Sequence, residues 1–355
     1  MARLLPPSDR EAAWKGFGPF PAGWNLGPVG PAPKREALSG ELAHTGRGPR
    51  ADLPDGMRLV AGTPALAAGI HPFVARAFSR PTSAAIVRIQ AGSRCEDPLL
   101  LSTVLAPGQA RAVPVTEIVV GAGAQCTIDE RIGFLDPDPR VDLTASTVIR
   151  AGKGARIVWR TTVFAPAGMF ALLHRHAILA EGAELALDLE VAGAGRVRVS
   201  STQTLRGAQA VGRMATAVRV SESARYAHAV LQDVRAPGCV SRMNERVVVD
   251  GLARSVFAGS IYLAPQAQRA DSSQTHRALL LSDGAASDAT PSLEIRADDV
   301  RCSHGATTSR LDPEQRFYLL SRGIPEAEAT VLLVDAFLAQ AGLAPLSSLP
   351  VPAAA

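Results

Sequence analysis

The sequence predicts an all-β core with the architecture of a parallel β-helix, and three observations favour this fold class. From about residue 84, short β-rich runs alternate with Gly/Ala turns for more than 200 residues. No helical pattern of ten or more residues separates these runs, which argues against a sheet built from βαβ units. A strand–turn–strand motif recurs about every 30 residues, which is a period typical of solenoid proteins.

Alternation of apolar and polar residues identifies the individual strands. The clearest case runs from Glu184 to Val191, where every second residue is Leu or Val. A period of two is typical of a strand with one buried face. Further strands are predicted at 117–120, 156–160, 197–199, 246–249 and 256–263.

The turns that join the strands follow the pattern G-x-G-A or x-G-A. Clear copies end at Ala124, Ala155 and Ala183, and looser copies end at Ala224 and Ala253. Glycine permits the positive φ that a sharp corner requires, so these turns favour coils stacked on one another. A β-sandwich with ordinary turns is the alternative that this pattern leaves open.

Composition divides the chain into four parts. These are an N-terminal extension (1–83), the β-helix core (84–310), a C-terminal helical hairpin (311–345) and a tail (346–355). The extension is rich in Pro and Gly and is predicted to be only partly helical, with a short helix at 9–15 and one or two more within 57–82.

The C-terminal hairpin is predicted from a change of period. A first helix covers 312–321, and a second begins at about Pro325 and ends near Ala341, with an apolar stripe that includes Val331 and Val334. We expect the hairpin to cap the open edge of the solenoid and to keep an outer face for a partner.

Charge and motif content exclude several functions. The net charge is +4, and almost all of the positive charge is arginine, scattered singly, so no nucleic-acid surface is predicted. There is no phosphate-binding G-x-x-x-x-G-K-[ST] loop and no G-x-S-x-G turn, so neither ATP hydrolysis nor serine hydrolase chemistry is expected in this chain.

Cysteine content and hydropathy indicate the compartment. None of the four cysteines forms a C-x-x-C pair, so neither a zinc ribbon nor a ferredoxin-type cluster cage is encoded. No signal peptide is visible, and no apolar stretch reaches 18 residues. The sequence therefore predicts a cytoplasmic protein without a membrane contact.

Residues 244–323 carry the most specific signal. Their longest stretch, from Pro291 to Thr307, reads P-S-L-E-I-R-A-D-D-V-R-C-S-H-G-A-T. With the N-E-R stretch before it and the F-Y-L and S-R-G-I stretches after it, this segment resembles the C-terminal core of the SufB/SufD family of Fe–S cluster assembly scaffolds. Weaker similarity reaches back to 116–132.

The resemblance implies a right-handed parallel β-helix with small helical segments at both ends. It also implies a scaffold without enzymatic activity, working with a B-type scaffold and an ABC-type ATPase, or pairing as a homodimer when alone. In the family the ATPase binds the C-terminal helices. The resemblance therefore implies these candidate partner-binding residues: Phe317, Tyr318, Arg322, Gly323, Val331, Val334 and Phe337. A transient Fe–S cluster or iron is expected at the interface of the two scaffolds, with none bound tightly to the isolated chain.

Two positions separate the B-type and D-type chains of this family. B-type chains carry His-Glu before Ala-Thr, whereas this chain has His304-Gly305. They also carry a functional cysteine in a Thr-Gln-Cys motif, at the position that His276 occupies here. The resemblance is therefore to the D type, with His276 as either a replacement ligand or, as we favour, a surface histidine.

His304 is the principal candidate metal ligand, because of its place in the best-matched stretch and because imidazole is a good ligand for iron. Cys302 lies two residues earlier, so both side chains would share one face of a strand. Cys302 is either a second donor or a small buried thiol. His174 and His176 are also two residues apart and could share a metal, but no third ligand is visible near them.

Two other functions compete with the D-type scaffold. A carbohydrate-active β-helix enzyme would need aromatic platforms, and the chain has only three Trp and three Tyr. A structural adaptor of the same family, without a metal role, is the other alternative.

Overall fold

The structure is a computed structural model that describes residues 41–45, 48–51, 53, 57–60, 64, 81–105, 111–134 and 141–343. Within these residues the chain forms twenty strands followed by two helices. The strands are β1 Glu41–Thr45, β2 Gly48–Ala51, β3 Met57–Val60, β4 Ser83–Ile89, β5 Leu99–Leu105, β6 Arg111–Ala112, β7 Pro114–Val120, β8 Gln125–Phe134, β9 Val141–Ala151, β10 Arg156–Ala165, β11 Met169–Leu179, β12 Glu184–Gly193, β13 Arg196–Leu205, β14 Val211–Val220, β15 Arg225–Val234, β16 Val240–Val249, β17 Arg254–Leu263, β18 Asp271–Leu280, β19 Ala286–Ile295 and β20 Arg301–Arg310. The helices are α1 Pro313–Ser321 and α2 Glu326–Ala339.

The strands form two sheets that the chain visits in turn. The first sheet has the order β2-β1-β5-β8-β10-β12-β14-β16-β18-β20, and the second has the order β19-β17-β15-β13-β11-β9-β7-β4-β3. From β4 onward neighbouring strands pair in parallel and in register, for example Ile157 with Leu185 and Leu185 with Gly212. This arrangement is a parallel β-solenoid, as the sequence predicts.

At the corner that leads from the second sheet into the first, each coil turns through a residue with positive φ, which donates a backbone hydrogen bond to the next coil. Gly123 N donates to Lys153 O at 2.8 Å, and Gly154 N donates to Glu181 O at 2.9 Å. A small buried residue follows each of these positions, in the column Ala124, Ala155, Ala183, Ala210, Cys239 and Ala270. Ala224 and Ala253 belong to the opposite corner, which explains the irregular step in the sequence repeat between Ala183 and Ala224.

The interior is packed mainly with Ala, Val, Leu and Ile, and its largest fully buried side chains include Trp159, Tyr226 and Phe257. It also holds charged groups. Glu130 accepts hydrogen bonds from Thr147 (2.8 Å), Trp159 (3.1 Å) and Thr161 (2.7 Å), and its carboxylate lies 3.6 Å from the buried Arg175 guanidinium.

The described N-terminal residues are strands. Met57–Val60 was expected to lie in a region of short helices, but it is β3 and pairs antiparallel with β4, because Met57 and Leu59 pack against the apolar interior. The predicted helix at 9–15 lies outside the described residues, as does most of 57–82.

The helical hairpin lies on the outer face of the first sheet and does not cap the end of the solenoid, so the sequence expectation was wrong on this point. Val334, Leu338 and Ala341 pack against three residues of that sheet, Ala217, Val248 and Leu279. Asn244 Nδ2 also donates to Gln340 O at 2.7 Å. Among the described residues, no helix has the length and apolar character needed to cross a membrane.

The last coil of the solenoid, formed by β19 and β20, is exposed. Each of these strands is the final one in its sheet, so no described strand pairs with its outer edge. Most of their residues are exposed, including the apolar Leu293 and Ile295. We call β19 and β20 together the terminal coil.

Candidate functional site at the terminal coil

His304 and Cys302 lie on the same face of β20, as their spacing predicts. In the register of β18 and β20, Cys302 lies over Ser272 and His304 lies over Gln274. Ser272 and Gln274 are buried residues of the solenoid interior, so Cys302 and His304 continue the inward-facing columns at the open end. His304 is exposed, and its imidazole makes no hydrogen bond to any described residue.

Cys302 is the more enclosed of the two candidate donors. It is half-buried and packs against the apolar core. Burial raises the pKa of its thiol, and the negative charge of Asp271 adds to this effect. Because the thiolate is the form that binds metal, Cys302 would have to lose its proton on binding a metal. Metal binding at Cys302 therefore competes with its proton.

His276 is buried, at 1% exposure, so the interpretation of this residue as a surface histidine was wrong. Its ring stacks on Phe257 with the ring centroids 4.5 Å apart and the planes 12° apart. Its Nδ1 lies 3.6 Å from Oε1 of Glu245. The alternation along β18 is the reason, because Ser272, Gln274 and His276 all face the interior.

Glu245 joins two imidazoles beneath the terminal coil. Its Oε2 lies 2.6 Å from Nδ1 of His228, whose Nε2 lies 2.9 Å from Ser201 Oγ. Burial acts to raise the pKa of Glu245, but the charges of His228 and His276 and the hydrogen bond with His228 outweigh it and lower the pKa to about 2. The carboxylate is therefore ionised at neutral pH, although it is completely buried.

His174 and His176 share the outer face of β11, and both are buried. Burial lowers the pKa of each ring to about 4, with the neighbouring His176 adding to the effect on His174 and Arg150 adding to the effect on His176. Nε2 of His176 lies 2.9 Å from Thr204 Oγ1. Within the described ranges, no group of three or more His, Cys, Asp or Glu residues is placed to hold a metal ion.

The hairpin presents an apolar outer surface. Asp312 caps α1 by accepting a hydrogen bond from Glu314 N at 2.9 Å, and Gly323, with a φ of 83°, ends it. Phe317 is 72% exposed and Tyr318 is 56% exposed, with the Arg322 guanidinium 5.1 Å from the Tyr318 ring centroid.

Two of the predicted partner-binding residues of the hairpin face the protein itself. Val331 is exposed, but Val334 is completely buried, so it belongs to the contact with the sheet. Phe337 is partly buried in the same contact, with the Arg246 guanidinium 5.9 Å from its ring centroid. The prediction failed for Val334 because an apolar stripe does not reveal which of its residues touch the sheet.

The fold places the protein in a class of parallel β-solenoids that carry a helical hairpin on the outer face of one sheet and end in a coil that no described strand covers. Residues 104–337 match the family described as "SUF system FeS cluster assembly, SufBD core domain". The chain belongs to this SufB/SufD family of Fe–S cluster assembly proteins.

Curated relatives place the similarity on the D-type side of the family. The chain is 45% identical over 102 residues to the iron-sulfur cluster assembly protein SufD of Escherichia coli (strain K12), an alignment that covers 29% of this chain and 24% of that protein. It is 44% identical over 92 residues to SufD of Bacillus subtilis (strain 168), covering 26% and 21%. A SufBD family protein of Mycobacterium tuberculosis (strain ATCC 25618 / H37Rv) is 29% identical over 300 residues, covering 79% and 72%. The chain thus spans about a quarter or less of the two SufD proteins that it matches.

The buried layer beneath the terminal coil was missed by the sequence reasoning. Glu245 and Gln274 lie in stretches that carry the family resemblance, but neither they nor His228 were given a role, because isolated polar residues in strands are usually exposed. The available signal was the alternation in β18, where the positions of Ser272, Gln274 and His276 continue the inward phase of the buried Ala278.

Proposed function

We propose that this chain is the D-type scaffold subunit of a SufBCD-type Fe–S cluster assembly complex, pairing with a B-type scaffold and an ABC-type ATPase in the cytoplasm. The chain itself carries no catalysis, and ATP hydrolysis takes place in the ATPase subunit. A transient cluster or iron is the cargo of the complex.

One observation carries this proposal: His304 stands exposed on the inward face of an uncovered terminal coil. A single imidazole with one half-buried thiol leaves most coordination positions of a metal to other ligands. No described strand pairs with the outer edges of β19 and β20, and exposed sheet edges of this kind can accept a strand from another chain. A B-type scaffold docked there would bring its own donors next to His304.

The hairpin supports the second partnership. Phe317 and Tyr318 present large exposed rings on a short, terminal element, and aromatic residues of this kind are frequent anchors in interfaces. The ATPase contact is assigned to this outer surface of α1 and to Val331 on α2.

The test is anaerobic reconstitution of the co-expressed complex, with cluster content measured by absorbance and iron analysis. We expect His304→Ala to retain the complex but to lose most of its cluster, because no described residue near it other than Cys302 offers a replacement donor. Ser303→Ala, on the opposite face of the same strand, is the matched control and should behave like wild type. Equal cluster content in His304→Ala and wild type would refute the ligand role and favour a structural adaptor.

A further inference from the structure

Gln274 lies directly beneath His304. The two residues are register partners in the adjacent parallel strands β18 and β20 and face the same side of the sheet. Neighbouring strands are separated by about 4.8 Å, so side chains at partnered positions stack on one another. The register therefore places the Gln274 amide and the His304 imidazole next to each other in one column, although no hydrogen bond joins them in this structure.

The amide of Gln274 is buried without a hydrogen-bond partner. The residue is 1% exposed, and neither Oε1 nor Nε2 bonds to a group of any residue that the structure describes. Buried polar groups are nearly always paired, so an amide with both atoms unpaired requires an explanation. His304 also has an unused ring N–H, since its imidazole makes no hydrogen bond within the described part of the chain.

Gly259 on the opposite sheet makes room for this amide. A Cβ at Gly259 would lie 2.2 Å from Nε2 and 2.6 Å from Cδ of Gln274, and 2.6 Å from Cζ of Phe257. The amide nitrogen is thus the end of the group that fills the space beside Gly259. The carbonyl oxygen is then the amide atom available to a residue of the terminal coil.

We propose that Gln274 is a positioning residue for His304, whose imidazole donates one ring N–H to the Gln274 carbonyl and turns its other nitrogen toward the open end. This proposal rests on the proposed function, and it adds a second residue to the ligand role of His304. A histidine that binds a metal commonly donates its second N–H to a carbonyl or carboxylate, which fixes the tautomer and the ring orientation. Gln274 supplies that acceptor from within the solenoid.

The experiment measures the tautomer of His304 by ¹⁵N NMR in the isolated, metal-free chain at a pH where the ring is neutral. We expect wild type to show one dominant tautomer. Gln274→Met fills a similar volume without an acceptor, and should shift His304 to the mixed tautomers of a free imidazole. Gln274→Glu restores an acceptor and should restore the single tautomer, while Ser272→Ala, beneath Cys302, should change nothing.

A wild-type His304 with the tautomer mixture of free imidazole would overturn the proposal, whether or not the variants fold. So would an unchanged tautomer in folded Gln274→Met. Gly259→Ala gives a second route, because its Cβ displaces the Gln274 amide and should reproduce the Gln274→Met spectrum. In the assembled complex, loss of this support should weaken iron binding by about 10- to 100-fold. Because the NMR measurement needs no metal, it tests the positioning role of Gln274 independently of whether His304 binds a metal.

Discussion

His276 and His304 lie on adjacent coils and face the same interior, yet only His304 is exposed. The difference is one coil: β20 covers His276, while no described strand covers His304. Sequence reasoning identified His304 through its motif but placed His276 on the surface, because the coil that covers it is visible only once the register is known. Gln274 and Glu245 were missed for the same reason, because their roles depend on contacts with residues about 30 positions away in the sequence.

At the residue scale, the buried ion pair of Glu130 and Arg175 should be a strong determinant of stability. Glu130→Gln removes the charge that compensates the buried guanidinium, and breaking a buried pair in this way costs about 3–5 kcal/mol. The free energy of unfolding, measured by urea denaturation, checks this. Glu184→Gln, which disrupts the exposed pair with Arg156, is the control and should cost less than about 1 kcal/mol. Equal effects of the two substitutions would contradict the assignment.

Stability should also fall as the medium becomes mildly acidic, because of His174 and His176. Their pKa values drop from an ordinary 6.5 to about 4 in the folded protein, so the unfolded state binds more protons between these values. The contribution of the two neutral histidines to the stability of the folded state is fully present above about pH 6.5. It is lost progressively as the pH falls toward 4. Urea midpoints across this range should decline less steeply in the double variant His174→Asn/His176→Asn. Parallel pH profiles for variant and wild type would be evidence against this account.

At the scale of the element, the hairpin shows what a local pattern can and cannot predict. Both helices were predicted from period and capping residues, because these signals lie within a few positions of one another. The docking site was not predicted, because Ala217, Val248 and Leu279 are distant in sequence and resemble ordinary core residues. An apolar residue on an outward-facing strand position becomes informative only when the phase of the strand is known.

Substitutions at two valines of α2 test folding and partner binding separately. Val334→Asp buries a charge against the sheet and should detach the hairpin, lowering the melting temperature. Val331→Asp lies on the exposed side and should leave the melting temperature nearly unchanged while weakening co-purification with the ATPase. Thermal denaturation and pull-down on both variants provide the measurement. Wild-type ATPase binding by Val331→Asp would show that the contact lies elsewhere.

For the molecule as a whole, the recurring Gly/Ala turn favoured the solenoid, although it left a β-sandwich as the alternative. Each coil needs the same corner turn and the same buried positions. The sequence therefore repeats with the length of one coil, and this period is visible in the sequence itself. The open terminal coil was not predicted in this way, because the repeat indicates where coils lie but not which of their edges another strand covers. What distinguishes them is the absence of a following described coil, which is a property of the assembled chain.

A partner scaffold should therefore protect this end of the molecule. Hydrogen exchange followed by mass spectrometry should show slower exchange in β20 when the B-type scaffold is added, because its outer backbone groups gain partners. Peptides from β14, whose edges are paired on both sides by β12 and β16, serve as the internal control and should change little. Protection confined to β2 and β3, at the opposite end, would place the interface there instead.

The corner hydrogen bonds have a further consequence for how such a chain can change over generations. Each bond runs from the backbone of one coil to the backbone of the next, as from Gly123 to Lys153, so the junction recognises no particular side chain. A duplication or deletion of one coil, about 30 residues, would present the same donor below and the same acceptor above. Evolution could thus lengthen or shorten the solenoid in steps of about 4.8 Å, and move the end that carries His304 along its axis, while keeping the corner hydrogen bonds between the remaining coils.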